Sequence, residues 1–314
     1  MPEFHQPVLT DELISLLDPK PGGVYLDATL GGAGHASQIL ERSGPGGILI
    51  GVDRDPEAIE FSRKRLEPFG ERAVLVRGNF RDVRSILRAV GVERVDGAIA
   101  DLGVSSHQLD SPRGFSFQRD EFLDMRMSAL EEDTPTAAHI VNTYPEEQLA
   151  NIIYRYGEER YSRRIARAIV ERRREKPIQT TGELASIVAE AIPPSKRPRN
   201  IHPATRSFMA IRVCANRELE ALEVGLPEIV DVLKQGARVC IVSFHSLEDR
   251  IVKNTFRRLS GRCECPPRMP ECRCGAKRVL KVLTARPITP SAREIECNPR
   301  SRSSRLRCAE RIAP

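Results

Sequence analysis

The chain contains no apolar run that approaches the roughly 18 residues a membrane-spanning helix needs. Its apolar stretches are short pieces such as Ile48-Leu49-Ile50-Gly51-Val52. The opening Met1-Pro2-Glu3-Phe4-His5 lacks a basic stretch followed by an apolar one, so it does not read as a secretory signal. Both absences point to a cytoplasmic protein with no membrane partner. Lysine is scarce, supplying only 8 of the 49 basic residues. Disorder and collagen-like structure are also excluded, because 40% hydrophobic and 29% charged residues are ordinary for a globular protein. With 314 residues the chain has length for about two domains and for a core that needs no disulfides.

The net charge of +6 hides an asymmetry. Residues 155–212 hold 14 basic and 6 acidic side chains, and residues 250–314 hold 17 and 5, which leaves the remainder at net −14. Basic blocks of this kind suit a polyanionic partner, and arginine is the better bidentate phosphate ligand. The arginine bias by itself is equally explained by a GC-rich genome or a hot habitat.

Residues 22–101 alternate short apolar runs with helical patterns. Strands are expected at 24–27, 48–53, 73–77 and 95–101, with helices at 35–41, 56–66 and 81–90 between them. That alternation means βαβ units and a parallel sheet, which binds its ligand at the carboxyl ends of its strands. From 107 to about 215 no strand is expected. Helices are read at 145–156, 160–174 and 181–191, the second with Tyr161, Ile165 and Ile169 on one face and arginines on the other. Sheet character returns at 237–243, and 304–309 is expected as a last strand. The chain reads as an α/β domain, residues 1–106 and 216–314, interrupted by a helical insertion, residues 107–215.

Asp27-Ala28-Thr29-Leu30-Gly31-Gly32-Ala33-Gly34-His35 follows the first strand and opens a helix. Small residues let a ligand approach the backbone there, and the helix start offers N–H groups. Asp53 ends the next strand, where an acid fits a ribose diol. The turn is not G-x-G-x-x-G, and it begins with an acid that would repel a pyrophosphate. Asp27, Asp53 and Asp101 together suit a ligand carrying a sulfonium and an ammonium, as S-adenosylmethionine does. Asn79-Phe80 after the third strand puts a ring within reach of an adenine. A nicotinamide-dependent oxidoreductase is disfavoured on the same residues. A non-enzymatic nucleic-acid module explains the basic blocks but leaves the acidic pocket idle.

These residues belong to a longer series. It runs through His5-Gln6-Pro7-Val8-Leu9 with Glu12, residues 27–35, Gly51-Val52-Asp53-Arg54-Asp55-Pro56 and Asp101-Leu102-Gly103-Val104-Ser105-Ser106-His107-Gln108-Leu109-Asp110. It continues with Arg113-Gly114-Phe115-Ser116-Phe117, Leu123-Asp124-Met125-Arg126-Met127, Tyr156-Gly157-Glu158-Glu159-Arg160 and His202-Pro203-Ala204-Thr205-Arg206. Ser243-Phe244-His245-Ser246-Leu247-Glu248-Asp249-Arg250 and Asn298-Pro299-Arg300-Ser301-Arg302-Ser303 complete it. The series resembles the bacterial ribosomal RNA small-subunit methyltransferase H family, also called MraW, over nearly the whole chain.

The resemblance implies methyl transfer from S-adenosylmethionine to the N4 amine of one cytidine in 16S rRNA of the small ribosomal subunit. It implies a Rossmann-like methyltransferase sheet with an inserted helical substrate-recognition domain, and it leaves room for a homodimer. Carried over residue by residue, cofactor contacts fall on Ala33, Gly34, His35, Asp53, Phe80, Asp101 and Gln108. Gly32-Ala33-Gly34 has Ala where many methyltransferases have Gly, so positive φ is not expected at residue 33. Amino-methyltransferases usually carry two prolines and an aromatic after the acid of the fourth strand; Asp101-Leu102-Gly103-Val104 does not, so another group must hold the base.

A cytosine amine is a poor nucleophile that needs positioning and hydrogen-bond acceptance rather than ionisation. Asp101 is the expected catalytic group, with cofactor binding alone as its alternative role. Phe115, Phe117 and His245 are candidate stacking partners for an extruded base, each with a core role as the alternative. Cys263-Glu264-Cys265 and Cys272-Arg273-Cys274 form a C-x-C-x6-C-x-C cluster compatible with tetrahedral zinc. Its spacing is not C-x2-C, thiols remain the alternative, and no metal site is assigned. Cys214, Cys240, Cys297 and Cys308 are expected as packing residues.

Overall fold

The computed structural model describes residues 7–128, 130, 134–198, 200–263, 265, 273 and 278–313. It divides into two compact units, Met1–Gly103 with Leu219–Pro314, and Val104–Glu218.

The first unit is built on a seven-stranded sheet: β1 (Val24–Asp27), β2 (Ile48–Asp53), β3 (Ala73–Arg77), β4 (Val95–Asp101), β5 (Leu233–Ser243), β6 (Leu280–Val282) and β7 (Arg305–Arg311). Their order is β3-β2-β1-β4-β5-β7-β6. Pairing is parallel from β3 to β5, and β7 runs antiparallel to both β5 and β6. This is a Rossmann-like α/β sheet with an antiparallel edge.

The strands are apolar on both faces because helices cover both. Tyr25, Leu49, Ile99, Cys240 and Val242 belong to one core. Leu26, Ile50, Ala98, Val239 and Ile241 belong to the other. Truncating one such leucine to alanine removes about 2–5 kcal/mol. Local chemistry starts the helices. Asp55 accepts the Glu57 N–H at 3.0 Å ahead of Pro56, and the helix Pro56–Leu66 follows. The helices Thr10–Leu17, Glu218–Asp231 and Ser246–Leu259 were not read from the sequence. The last strand begins one residue later than expected and runs on to Arg311.

The second unit holds the helices Ala137–Thr143, Glu146–Gly157, Ser162–Glu175, Thr181–Ala191 and Thr205–Asn216. They surround a core that includes Ile140, Leu149, Ile153, Ile165, Ile169, Leu184, Phe208 and Ile211. Thr180 and Glu183 form a capping box at the start of Thr181–Ala191.

Candidate active site

Parallel pairing sets the ends of β2, β1 and β4 side by side: Asp27 pairs with Gly51 of β2 and Ile99 of β4. Asp53, Asp27 and Asp101 close these strands, so three carboxylates share one carboxyl edge. Asp27 is buried, and its Oδ1 accepts the Thr29 N–H at 3.1 Å. Burial pushes its carboxyl up to about 8, against the pull of that hydrogen bond, and the charges of Asp101 and Asp53 add to the rise.

Asp53 is held by the main chain. Its Oδ2 accepts the Gly31 N–H at 2.8 Å, and its Oδ1 accepts the Asp55 N–H at 2.8 Å. Burial raises it to about 6, and these two hydrogen bonds work against the rise. A carboxylate offers about four lone-pair sites, so each oxygen keeps a site for a ribose hydroxyl. Asp101 donates its backbone N–H to Thr29 Oγ1 at 2.5 Å. Its Oδ2 lies 3.8 Å from His35 Nδ1. His35 Nε2 lies 3.0 Å from the Val8 carbonyl, which assigns that nitrogen the proton because a carbonyl only accepts.

The turn between β1 and the helix Gly34–Arg42 corrects one expectation. Ala33 has φ 55° and ψ 28° and caps that helix. Its N–H donates to Leu30 O at 2.8 Å, and its carbonyl accepts the Ser37 N–H at 3.0 Å and Ser37 Oγ at 2.8 Å. Its methyl group is fully buried. These contacts hold a non-glycine residue in the left-handed region, which costs roughly 1–2 kcal/mol. Gly34 is a packing requirement: a Cβ there would stand 2.8 Å from Pro7 Cγ. Residues 7–9 thus cross the start of this helix.

Phe80 opens the 3-10 turn Phe80–Asp82 beyond β3 and packs against the core of the first unit. A Cβ on Gly225 would lie 2.6 Å from Phe80 Cδ2, so that glycine makes room for the ring. Thr29 and Gly225 were missed by the sequence reading. The available signals were a hydroxyl inside the turn and a glycine inside a helix.

Gln108 belongs to the second unit. Its Oε1 accepts the Ser105 N–H at 3.0 Å, and its own N–H donates to Ser105 Oγ at 3.2 Å, a capping box for the short helix Ser106–Asp110. Phe115 and Phe117 take their core alternatives. Phe115 is buried in the second unit's core, and the Phe117 ring lies tilted 4.6 Å from His202 and meets Phe208 edge-on at 4.9 Å. His245 is a helix cap, with Nδ1 3.4 Å from the Glu248 N–H of the helix Ser246–Leu259.

Cys240 and Cys308 are buried with sulfurs 3.4 Å apart, and Cys214 is half-buried. Cys297 is exposed at the end of the short helix Ala292–Cys297, against the packing expectation, because no residue of that helix is buried. Cys263 is exposed and Cys265 half-buried, whereas Cys272 and Cys274 lie outside the described residues. In the helix Ser162–Glu175, Ile165 and Ile169 are buried, and Arg163, Arg164, Arg167 and Arg174 are exposed. Arg173 instead turns inward to the carbonyls of Val141 and Tyr144, both at 2.8 Å. Arg197 is likewise structural, bonding Ala189 O at 2.8 Å, and Arg199 lies outside the described residues. No helix among the described residues is long and apolar enough to cross a membrane.

The geometry has close sequence relatives. The chain is 51% identical over 317 residues to the ribosomal RNA small subunit methyltransferase H of Syntrophus aciditrophicus, covering 99% of this chain and 100% of that protein. It is also 51% identical to the proteins of the same name from Carboxydothermus hydrogenoformans and Geotalea daltonii, covering 98% of this chain and 98% of each relative. The model of the MraW methylase family matches residues 3–312. With half its residues shared over full length and its acidic strand ends in one row, the chain belongs to the MraW methylase family.

Proposed function

We infer that this chain transfers a methyl group from S-adenosylmethionine to the exocyclic N4 amine of a cytidine in the 16S rRNA of the small ribosomal subunit, in the cytoplasm. The observation that carries this reading is the row of Asp53, Asp27 and Asp101 at one sheet edge, an acidic pocket in a family of methylases. S-adenosylmethionine supplies a methyl group on a sulfonium, already an activated leaving group.

The residues fit such a ligand. Asp53, fixed by two main-chain N–H groups, is set to accept ribose hydroxyls. Asp27 and Asp101 offer carboxylates to the cationic end, and a nearby cation favours ionisation of Asp27 despite its burial. Ala33, Gly34 and His35 bring backbone close to the ligand, Phe80 supplies a ring for the adenine, and Gln108 is assigned a further cofactor contact. Asp101 also serves the reaction: its oxygen accepts a hydrogen bond from the amine and stabilises the nitrogen as it becomes tetrahedral. The base must leave the RNA stack to reach this edge. The helical unit, with exposed Arg163, Arg164 and Arg167, serves as an RNA-binding surface.

The test is tritiated-methyl transfer to small subunits purified from cells lacking the protein, followed by nucleoside analysis. Label in N4-methylcytidine is expected. Label in another nucleoside, or none, overturns the assignment.

A further inference from the structure

Residues 298–305 stand at the same sheet edge as the acids, yet the cofactor pocket makes no use of them. β7 runs antiparallel to β5, so its first residue, Arg305, pairs with Ser243, the last residue of β5. One residue earlier, Val242 pairs with Asp101 of β4. Arg305 therefore sits at the carboxyl edge, two strand spacings from Asp101, or roughly 10 Å.

The segment leading into it is ordered by its serines. In the 3-10 turn Pro299–Ser303, the buried Ser301 donates its hydroxyl to Asn298 O at 2.7 Å and accepts the Ser304 N–H on its carbonyl at 2.8 Å. Arg300 and Arg302, on either side of Ser301, are exposed. Arg305 is half-exposed and is braced by Asp249, whose Oδ2 is 3.2 Å from Arg305 Nη1. That carboxylate is already matched by buried Arg307, at 2.6 Å from Nε and 3.2 Å from Nη2. Asp249 thus aims Arg305 without cancelling the positive charge of the group.

Electrostatics divides this edge. The acids of β2, β1 and β4 favour a cationic cofactor and repel phosphate. An RNA that must deliver one base there needs cations beside the pocket, and the β5–β7 end supplies them. We propose that Arg300, Arg302 and Arg305 form a ridge that binds the ribose-phosphate backbone of single-stranded RNA next to the target cytidine. The proposal rests on the rRNA-methylation reading of the neighbouring pocket. The strand is single because a base entering the pocket has left its stack.

The test uses the exposed pair, Arg300→Gln with Arg302→Gln, in the full chain. Binding of a short fluorescein-labelled single-stranded RNA is followed by anisotropy across a salt series, alongside calorimetry with S-adenosylmethionine. With two phosphates no longer neutralised, the slope of log affinity against log salt should flatten by about 1.4, and binding should weaken about tenfold to thirtyfold near 0.1 M salt. S-adenosylmethionine affinity should not move. Arg305→Lys, which keeps the charge but loses the fork, should weaken RNA binding less than Arg305→Gln. A parental salt slope and affinity in the double variant overturn the ridge. Because RNA binding is read without turnover, absence of methyl transfer by the parent chain would remove the rRNA-methylation reading, while the anisotropy result still decides whether the ridge binds RNA.

Discussion

The two units of this chain handle charge in opposite ways. The sheet unit draws carboxylates into its strand ends, where Asp27 and Asp53 are raised to about 8 and about 6 because burial disfavours their ionised forms. The helical unit wraps an apolar core and leaves Arg163, Arg164 and Arg167 in solvent. Buried, perturbed carboxylates in the first unit fit a reaction centre, and the excess of exposed arginine on the helix Ser162–Glu175 of the second supports the proposed RNA-binding face. The contrast can be broken at either pole.

The largest effect is expected at Asp101. Asp101→Asn keeps the size of the side chain but removes the carboxylate proposed to serve the amine, and single-turnover methyl transfer should fall about a hundredfold. Cofactor affinity should fall much less; equal losses in both would assign Asp101 to the cofactor alone. Next comes Gly225→Ala, whose new methyl would stand 2.6 Å from Phe80 Cδ2 and 3.0 Å from Phe80 O. Overpacking of this kind costs about 1–3 kcal/mol. Displacement of the ring should appear in calorimetry as weaker S-adenosylmethionine binding.

Asp27→Asn should act in two directions. In the folded chain Asp27 keeps its proton up to about pH 8, whereas its ordinary value is 3.8. The folded state therefore holds the extra proton between these values, and the stability this contributes at low pH is lost as pH rises through about 8. The variant should flatten that loss and raise the ligand-free melting temperature at alkaline pH, while weakening S-adenosylmethionine binding. A melting temperature that falls with the parent's pH dependence contradicts this role. The smallest effect is expected from Arg163→Gln, Arg164→Gln and Arg167→Gln together. The salt slope of RNA binding should flatten by somewhat under one unit for each phosphate that the helix no longer neutralises, with cofactor affinity unchanged. A parental slope moves RNA binding away from this helix.

The parallel strands and the acids at their ends were legible because a buried parallel strand is a short apolar run and a carboxylate at its end stands out, whereas β6, only three residues long with two of them exposed, was not. The helix Pro56–Leu66 was legible from the spacing of Ile59, Arg63 and Leu66, and the structure adds the Asp55 cap and Pro56 that fix its start. The helix Thr205–Asn216 was not, since neither a capping side chain nor a first-turn acid announces it. Ala33 was misjudged because its positive φ comes from the hydrogen bonds of Leu30 and Ser37 around it, not from its own preference. His245 stood between a stacking ring and a core residue because periodicity cannot show that an imidazole caps the helix behind it. The place of Arg305 beside the acidic edge depends on the antiparallel pairing of β7, which no local pattern encodes.

An acidic strand edge built for a cationic nucleoside should choose between two ligands in equilibrium dialysis, with the chain and its Asp53→Ala variant each set against S-adenosylmethionine and against NAD. The parent should retain S-adenosylmethionine but not NAD. The variant should lose about 1–3 kcal/mol of S-adenosylmethionine binding, the penalty for ribose hydroxyls left without an acceptor. Preferential retention of NAD, or S-adenosylmethionine binding unchanged by Asp53→Ala, would contradict this assignment of the edge.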